Sequence, residues 1–171
     1  MKEINHEGHE GIEGHEEVIE GHEEVIEGHE GIIEGHAGRV GVQVASPLSA
    51  EAERAMHQTI GCAITVHREL GPGFLESIYQ KAMYLELDAR HIGYERERPI
   101  RVSYRGVDIP GQRVDLIVEG LIVVELKAIA QLADVHRAQL ISYLRTTGLR
   151  GGLLINFSER LLKRGLKRVV L

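Results

Sequence analysis

Besides Arg113 at its edge and Glu119 at its bend, the apolar stretch RVDLIVEGLIVVELKA at 113–128 holds three charges within its runs: Asp115, Glu125 and Lys127. Buried charges are costly unless they are paired or hold a metal. Two carboxylates suit a hard divalent cation such as Mg²⁺ or Mn²⁺, which takes oxygen ligands and accepts phosphate oxygens. Such a cation lowers the pKa of a bound water and stabilises charge growing on a phosphoryl group. A lysine two residues beyond a ligand is placed to orient that water or to stabilise the same charge. The competing reading is a structural ion pair of Lys127 with Asp115 or Glu125.

Two further groups have chemical spacing. Gly73, Glu76 and Tyr79 form G-x-x-E-x-x-Y at a helix start, where the dipole favours a carboxylate in the first turn. His136, Gln139 and Tyr143 are three and four apart, so they share a helix face that could meet phosphate or base. A bland polar helix edge would look the same.

These residues need elements to carry them. Ser49, with Glu51 and Glu53 behind it, predicts a helix start, and helical spacing then runs through Ile60, Ala63, Ile64 and His67 to Leu70. GPG at 71–73 breaks it. A second helix is expected from about Leu75 to Arg90, closed by Gly93. Period-two alternation from Pro99, then GQRVDLIV and LIVVELKA, predicts three strands. A helix over ADVHRAQLISYLRTTG, a buried strand GGLLINF, a short segment near Leu161 and Leu166, and a last strand KRVVL follow. The expected fold is a mixed α/β domain.

Glu125 and Lys127 share a strand face, being two apart. The turn decides whether Asp115 joins them. A two-residue loop at Glu119-Gly120 pairs Asp115 with Val124, on the wrong face. A three-residue loop from Val118 to Gly120 pairs it with Val123, diagonal to Glu125 on the same face, with Gly120 left-handed.

The remainder of the chain bounds the reading. With 171 residues, 43% hydrophobic and 27% charged, the composition is that of a globular protein. No apolar run is long enough for a membrane helix. The acidic start predicts no signal peptide, and one cysteine, Cys62, excludes an internal disulfide and fits a cytoplasmic protein. Cys62 is expected in the core rather than as a nucleophile.

Net charge is −6, but residues 1–36 hold twelve Glu and one Lys, so the rest is mildly basic, which is compatible with nucleic acid. Residues 1–36 repeat GHEEVIE with His15, His22, His29 and His36 every seventh residue. Frequent glycine and like charge predict an acidic tail, disordered or weakly helical. Adventitious Zn²⁺ or Ni²⁺ binding by its His and Glu is the sharper alternative. Residues 37–50 form a linker and 51–171 the domain. Oligomerisation through the Val-Ile pairs of the tail is a separate idea; a homo-oligomer is not otherwise indicated.

Taken in order, GPGFLESIYQKAMYLEL, VDLIVEGLIVVELKA and VHRAQLISYLRTTGLRGGLLINF resemble the GxxExxY proteins of bacteria, a family grouped with the PD-(D/E)XK nuclease superfamily. The resemblance covers about residues 53–171. It implies a restriction-endonuclease-like core, a central mixed sheet flanked by helices. It implies a metal site of Asp115, Glu125 and Glu76 with the backbone carbonyl of Leu126, Glu76 being the acidic residue of an early helix, and Lys127 as the catalytic lysine. Gln139 and Tyr143 match the Q-x-x-x-Y helix of RecB-like nucleases, where it supports DNA binding. Tyr79, Gln139, Tyr143 and His136 are candidates to touch the substrate or to support the residues that do. Val114 stands where proline is common in the superfamily. The expected function is Mg²⁺- or Mn²⁺-dependent hydrolysis of DNA phosphodiesters; the alternative is a catalytically inactive nuclease-fold module that binds nucleic acid or a protein partner.

Overall fold

The computed structural model describes residues 46–171; the repeat at 1–36 and most of the linker lie outside them, as do the metal and oligomer readings of the repeat. The element order is α1 (Ala50–Leu70), α2 (Glu76–Ala89), β1 (Tyr94–Tyr104), β2 (Val107–Val118), β3 (Ile122–Lys127), α3 (Asp134–Thr147), β4 (Gly151–Asn156), α4 (Leu162–Gly165) and β5 (Leu166–Val170). The five strands form one sheet in the order β1-β2-β3-β4-β5. Only β3 and β4 are parallel, joined by a crossover through α3; the other neighbours are antiparallel. This is the mixed α/β sheet flanked by helices that the sequence predicts.

Ser49 caps α1, its side chain accepting from Ala52 N–H at 3.2 Å. Ala55, Met56, Cys62, Ala63 and Val66 then bury one face of α1 with Tyr79, Met83 and Leu87 of α2, over Leu116, Val118, Val124, Leu126 and Ile155 of the sheet. Cys62 is a core residue, as expected. The other sheet face meets α3, where Leu140, Tyr143 and Leu144 pack on Val114, Ile117, Val123 and Leu154. Alternation along β3 therefore serves two cores. Gly152 of β4 allows the close approach of α3: a Cβ there would stand 2.9 Å from Leu140 Cδ1.

Three local expectations are corrected. Strand β1 begins at Tyr94, five residues before Pro99, because the charged YERE segment pairs with β2 from Tyr94↔Val118 onward. Pairing with a neighbour overrides the lack of an apolar pattern. Helix α2 is ended by His91, left-handed at φ 54°, with Ile92 N–H returning to Leu87 O at 3.0 Å. Gly93 instead receives the β2–β3 turn: its carbonyl accepts from Glu119 N–H at 2.8 Å and its N–H donates to the Glu119 carboxylate.

The third correction concerns the turn itself. Glu119 and Gly120 both have positive φ, and Leu121 N–H donates to Val118 O at 2.9 Å. Those are the torsions of a two-residue type I′ turn. Leu121, however, is an extra residue, and pairing resumes at Val118↔Ile122. The register is neither of the two considered from sequence. Continued by one step from Leu116↔Val124, it sets Asp115 directly opposite Glu125.

Candidate active site

Strands β2 and β3 pair only from Val118↔Ile122 to Leu116↔Val124, while β3 continues beside β4 to Lys127↔Asn156. Beyond the last β2 pair, Leu126 N–H has no strand partner on that side. Asp115 Oδ2 takes it, at 2.8 Å. An extended residue turns its N–H and C=O to the same side, so the Leu126 carbonyl faces the Asp115 side too. The end of the β2–β3 ladder is therefore an oxygen-rich notch.

Glu125 is only 2% exposed. Its Oε1 accepts from Lys127 Nζ at 2.5 Å, and its Oε2 is buried without any hydrogen-bond partner. An unpartnered buried carboxylate oxygen is rare and costly. Burial, then the Asp115 charge, push the Glu125 carboxyl from 4.5 up to about 7, against the pull of Lys127. Burial likewise raises Asp115, opposed by the Leu126 N–H. For Lys127, burial acts downward, but the Glu125 hydrogen bond and the surrounding carboxylates outweigh it and hold the amine above its usual value. The site carries more negative charge than Lys127 balances. Its free donors are the Glu125 Oε2 atom, the second Asp115 oxygen and the Leu126 carbonyl. All are hard oxygens, and they fit Mg²⁺ or Mn²⁺ better than a soft metal.

Glu76 opens α2 and is half-buried. Its charge acts on Asp115, Glu125 and Lys127. Yet among the described residues no three His, Cys, Asp or Glu side chains converge as a metal cluster. Glu76 thus faces the pair from the next layer without joining it.

Of the two roles expected for Tyr79, contact with substrate or support of the site, its surroundings suit support. The residue is fully buried. Its ring stacks on Phe157 at 4.5 Å, and its hydroxyl donates to Gly71 O at 2.7 Å and accepts from Phe74 N–H at 3.1 Å. Tyr79 fastens the α1–α2 loop, where Gly73 has φ 116°, and so sets where α2 and Glu76 begin. Tyr79→Phe is expected to cost about 1–2 kcal/mol in urea unfolding while leaving the candidate site chemically intact. A loss of nucleic-acid affinity at unchanged stability would contradict this placement.

Helix α3 brings its residues to the other side of the notch. Tyr143 is 3% exposed, and both Gln139, at 2.5 Å, and Gln112 donate to its hydroxyl. Burial, followed by the Gln112 bond, dominates its environment, and the Glu125 and Lys127 charges also reach it. His136 Nδ1 accepts from Ala133 N–H at 2.9 Å. The ring therefore closes the start of α3, and this nitrogen is occupied.

Sequence reasoning missed Gln112 and Asn156. Gln112 lies on β2, and nothing in its local pattern marks it. Asn156 ends β4 and is fully buried. Its Nδ2 donates to Ile129 O at 2.8 Å, and its Oδ1 accepts from Ile129 N–H at 3.1 Å. With the bond from Phe157 N–H to Lys127 O at 2.8 Å, it fixes the backbone that leaves Lys127. A polar residue closing the apolar run GGLLI was the available signal. Asn156→Leu is expected to destabilise by about 1–3 kcal/mol, since the Ile129 groups lose their partners. Chemical denaturation checks it; an unchanged midpoint would mean that water replaces the amide.

A profile of the PD-(D/E)XK nuclease superfamily matches residues 53–169. No curated protein and no solved structure gives a match. Among the described residues no helix is long and apolar enough to cross a membrane.

Proposed function

Because the chain belongs to the PD-(D/E)XK nuclease superfamily, we propose that it is a divalent-metal-dependent nuclease that hydrolyses DNA phosphodiester bonds, of the GxxExxY type. The observation that carries this reading is the buried Glu125 Oε2 without a partner, beside Asp115 and Lys127 in a notch whose other free groups are oxygens. Asp115, Glu125 and the Leu126 carbonyl would hold Mg²⁺ or Mn²⁺, with Glu76 acting across the site by its charge. When bound, the cation supplies Lewis-acid stabilisation of phosphoryl charge and an acidified water.

The residues of the chain supply the rest. Glu125 Oε1 holds Lys127 Nζ in one place, so the ammonium is fixed before substrate arrives. From there Lys127 orients the attacking water or stabilises the charge that grows on the phosphate. Asp115 is held by the Leu126 N–H, which leaves its second oxygen free. Gln112 and Gln139 lock Tyr143 at the side of the notch, where it borders the substrate.

The test is cleavage of plasmid, linear duplex and single-stranded DNA with Mg²⁺, Mn²⁺ or chelator. Metal-dependent cutting supports the reading, and the substrate series gives the nuclease type. One observation favours the second reading, an inactive binding module: among the described residues no three His, Cys, Asp or Glu side chains converge as a metal cluster. Nucleic-acid binding without cutting, and without metal uptake by calorimetry, would select it.

A further inference from the structure

Two aromatic rings and one arginine meet beside the notch, from the consecutive elements α2 and β1. Tyr84 of α2 stacks on Tyr94 of β1, with centroids 5.6 Å apart and planes 13° from parallel. The Arg96 guanidinium lies over the Tyr84 ring, 5.7 Å from its centroid. Arg96 pairs with Leu116 in the sheet, so it is one strand over and one residue along from Asp115. It also borders an open hollow of about 530 Å³ with Asp88, Ile92, Gly93 and Tyr94.

The carboxylates near Arg96 are already engaged. Glu95 is paired with Arg98 at 3.2 Å, Glu97 with Arg113 at 3.4 Å, and Glu86 with Arg90 at 3.2 Å. Tyr94 donates its hydroxyl to Asp88 at 3.3 Å. Arg96 itself is exposed and makes no hydrogen bond or ion pair among the described residues. Stacking uses the π face of a guanidinium and leaves its in-plane N–H fork free, the geometry that matches a phosphate. The Tyr84 phenol is raised by burial first, and then by the Glu97 and Asp115 charges.

We propose that Arg96, seated on the Tyr84–Tyr94 stack, is a phosphate-binding residue that holds the polynucleotide backbone beside the Asp115–Glu125–Lys127 site. The assignment rests on the nuclease reading and deepens it: the ligand is a backbone phosphate of the strand being cut. Prepositioning on Tyr84 reduces the rotamer entropy that a free arginine would lose on binding.

The experiment is fluorescence anisotropy of the full chain with a fluorescein-labelled oligonucleotide, single-stranded and annealed, across a salt series without divalent metal. Arg96→Ala is expected to weaken binding about tenfold and to lower the salt slope by about one. Arg96→Lys keeps the charge and recovers part of the affinity. Tyr84→Leu weakens binding about threefold with the slope unchanged, since only the platform is lost. Arg145→Ala, in the last turn of α3, is the control and stays near wild type. In cleavage, Arg96→Ala raises KM and spares kcat. Equal affinity and slope for wild type and Arg96→Ala, with cutting intact, overturn the Arg96 assignment and leave the nuclease reading standing. A wild type that neither binds nor cuts any oligonucleotide overturns both.

Discussion

Lys127→Ala is expected to lower the rate of metal-dependent DNA cleavage by about a thousandfold, the scale for removing one charge-stabilising donor from an active site. Glu125→Ala should go further, to background. The two losses have different causes. Lys127 is held at 2.5 Å by Glu125 Oε1 and is still 15% exposed at its side chain, so it can meet substrate. Its removal leaves the Glu125 carboxyl buried without a cation. With a pKa already pushed up to about 7, that carboxyl takes up a proton rather than unfolding the protein. Glu125→Ala instead removes the buried side-chain oxygen that lacks a partner and releases Lys127 as well. Calorimetry separates the cases. Lys127→Ala should still bind Mg²⁺, and Glu125→Ala should not. Full cleavage by Lys127→Ala would reduce the lysine to a structural ion pair.

Stability of the metal-free protein should fall as pH rises from about 5 to about 8. The cause is a group whose folded pKa is raised. Glu125 titrates at 4.5 when unfolded and at about 7 when folded. Between those values the folded protein holds a proton that the unfolded chain has lost. The stabilisation is complete below 4.5 and is gone once the folded carboxyl ionises, near 7. Its scale is on the order of 3 kcal/mol, several degrees in melting temperature for a domain of this size. Asp115 is raised in the same direction, also by burial first. Glu125→Gln should flatten the profile, because the titrating group is gone. Mg²⁺ should restore the wild type at high pH and do little for Glu125→Gln, since a ligand that binds only the folded state stabilises it. A wild-type melting temperature that is flat or rising across this window would mean that Glu125 is solvated or otherwise paired.

The chemistry of the site was legible because it was locally improbable. Asp115, Glu125 and Lys127 interrupt an apolar run, and a period of two places Glu125 and Lys127 on one face whatever the fold. Ser49 and Gly148 marked helix ends by their own chemistry, and the structure uses both. Tyr79 was visible too, but its role was not. A tyrosine four residues before Met83 on an amphipathic helix reads equally as a substrate contact or as core. Only the positions of Phe157 and Gly71 make it a clamp.

The register of the hairpin was beyond the sequence. Turns of two or three residues both fit Glu119-Gly120, and the extra Leu121 is set by how β2 and β3 pair over their length. That choice puts Asp115 opposite Glu125 and leaves the Leu126 N–H for its carboxylate. The Gln112–Tyr143–Gln139 lock and the Tyr84–Tyr94–Arg96 stack are each drawn from two elements. The lock draws on residues 31 apart, which no short window contains; the stack lies within residues 84–96, but only the packing of α2 against β1 brings its rings face to face. The sequence alone determined the residue types, their faces and the class of chemistry, because side-chain periodicity and capping are local. Tertiary structure decided which groups meet, which are buried and which oxygen lacks a partner, because strand register and burial are properties of the whole sheet.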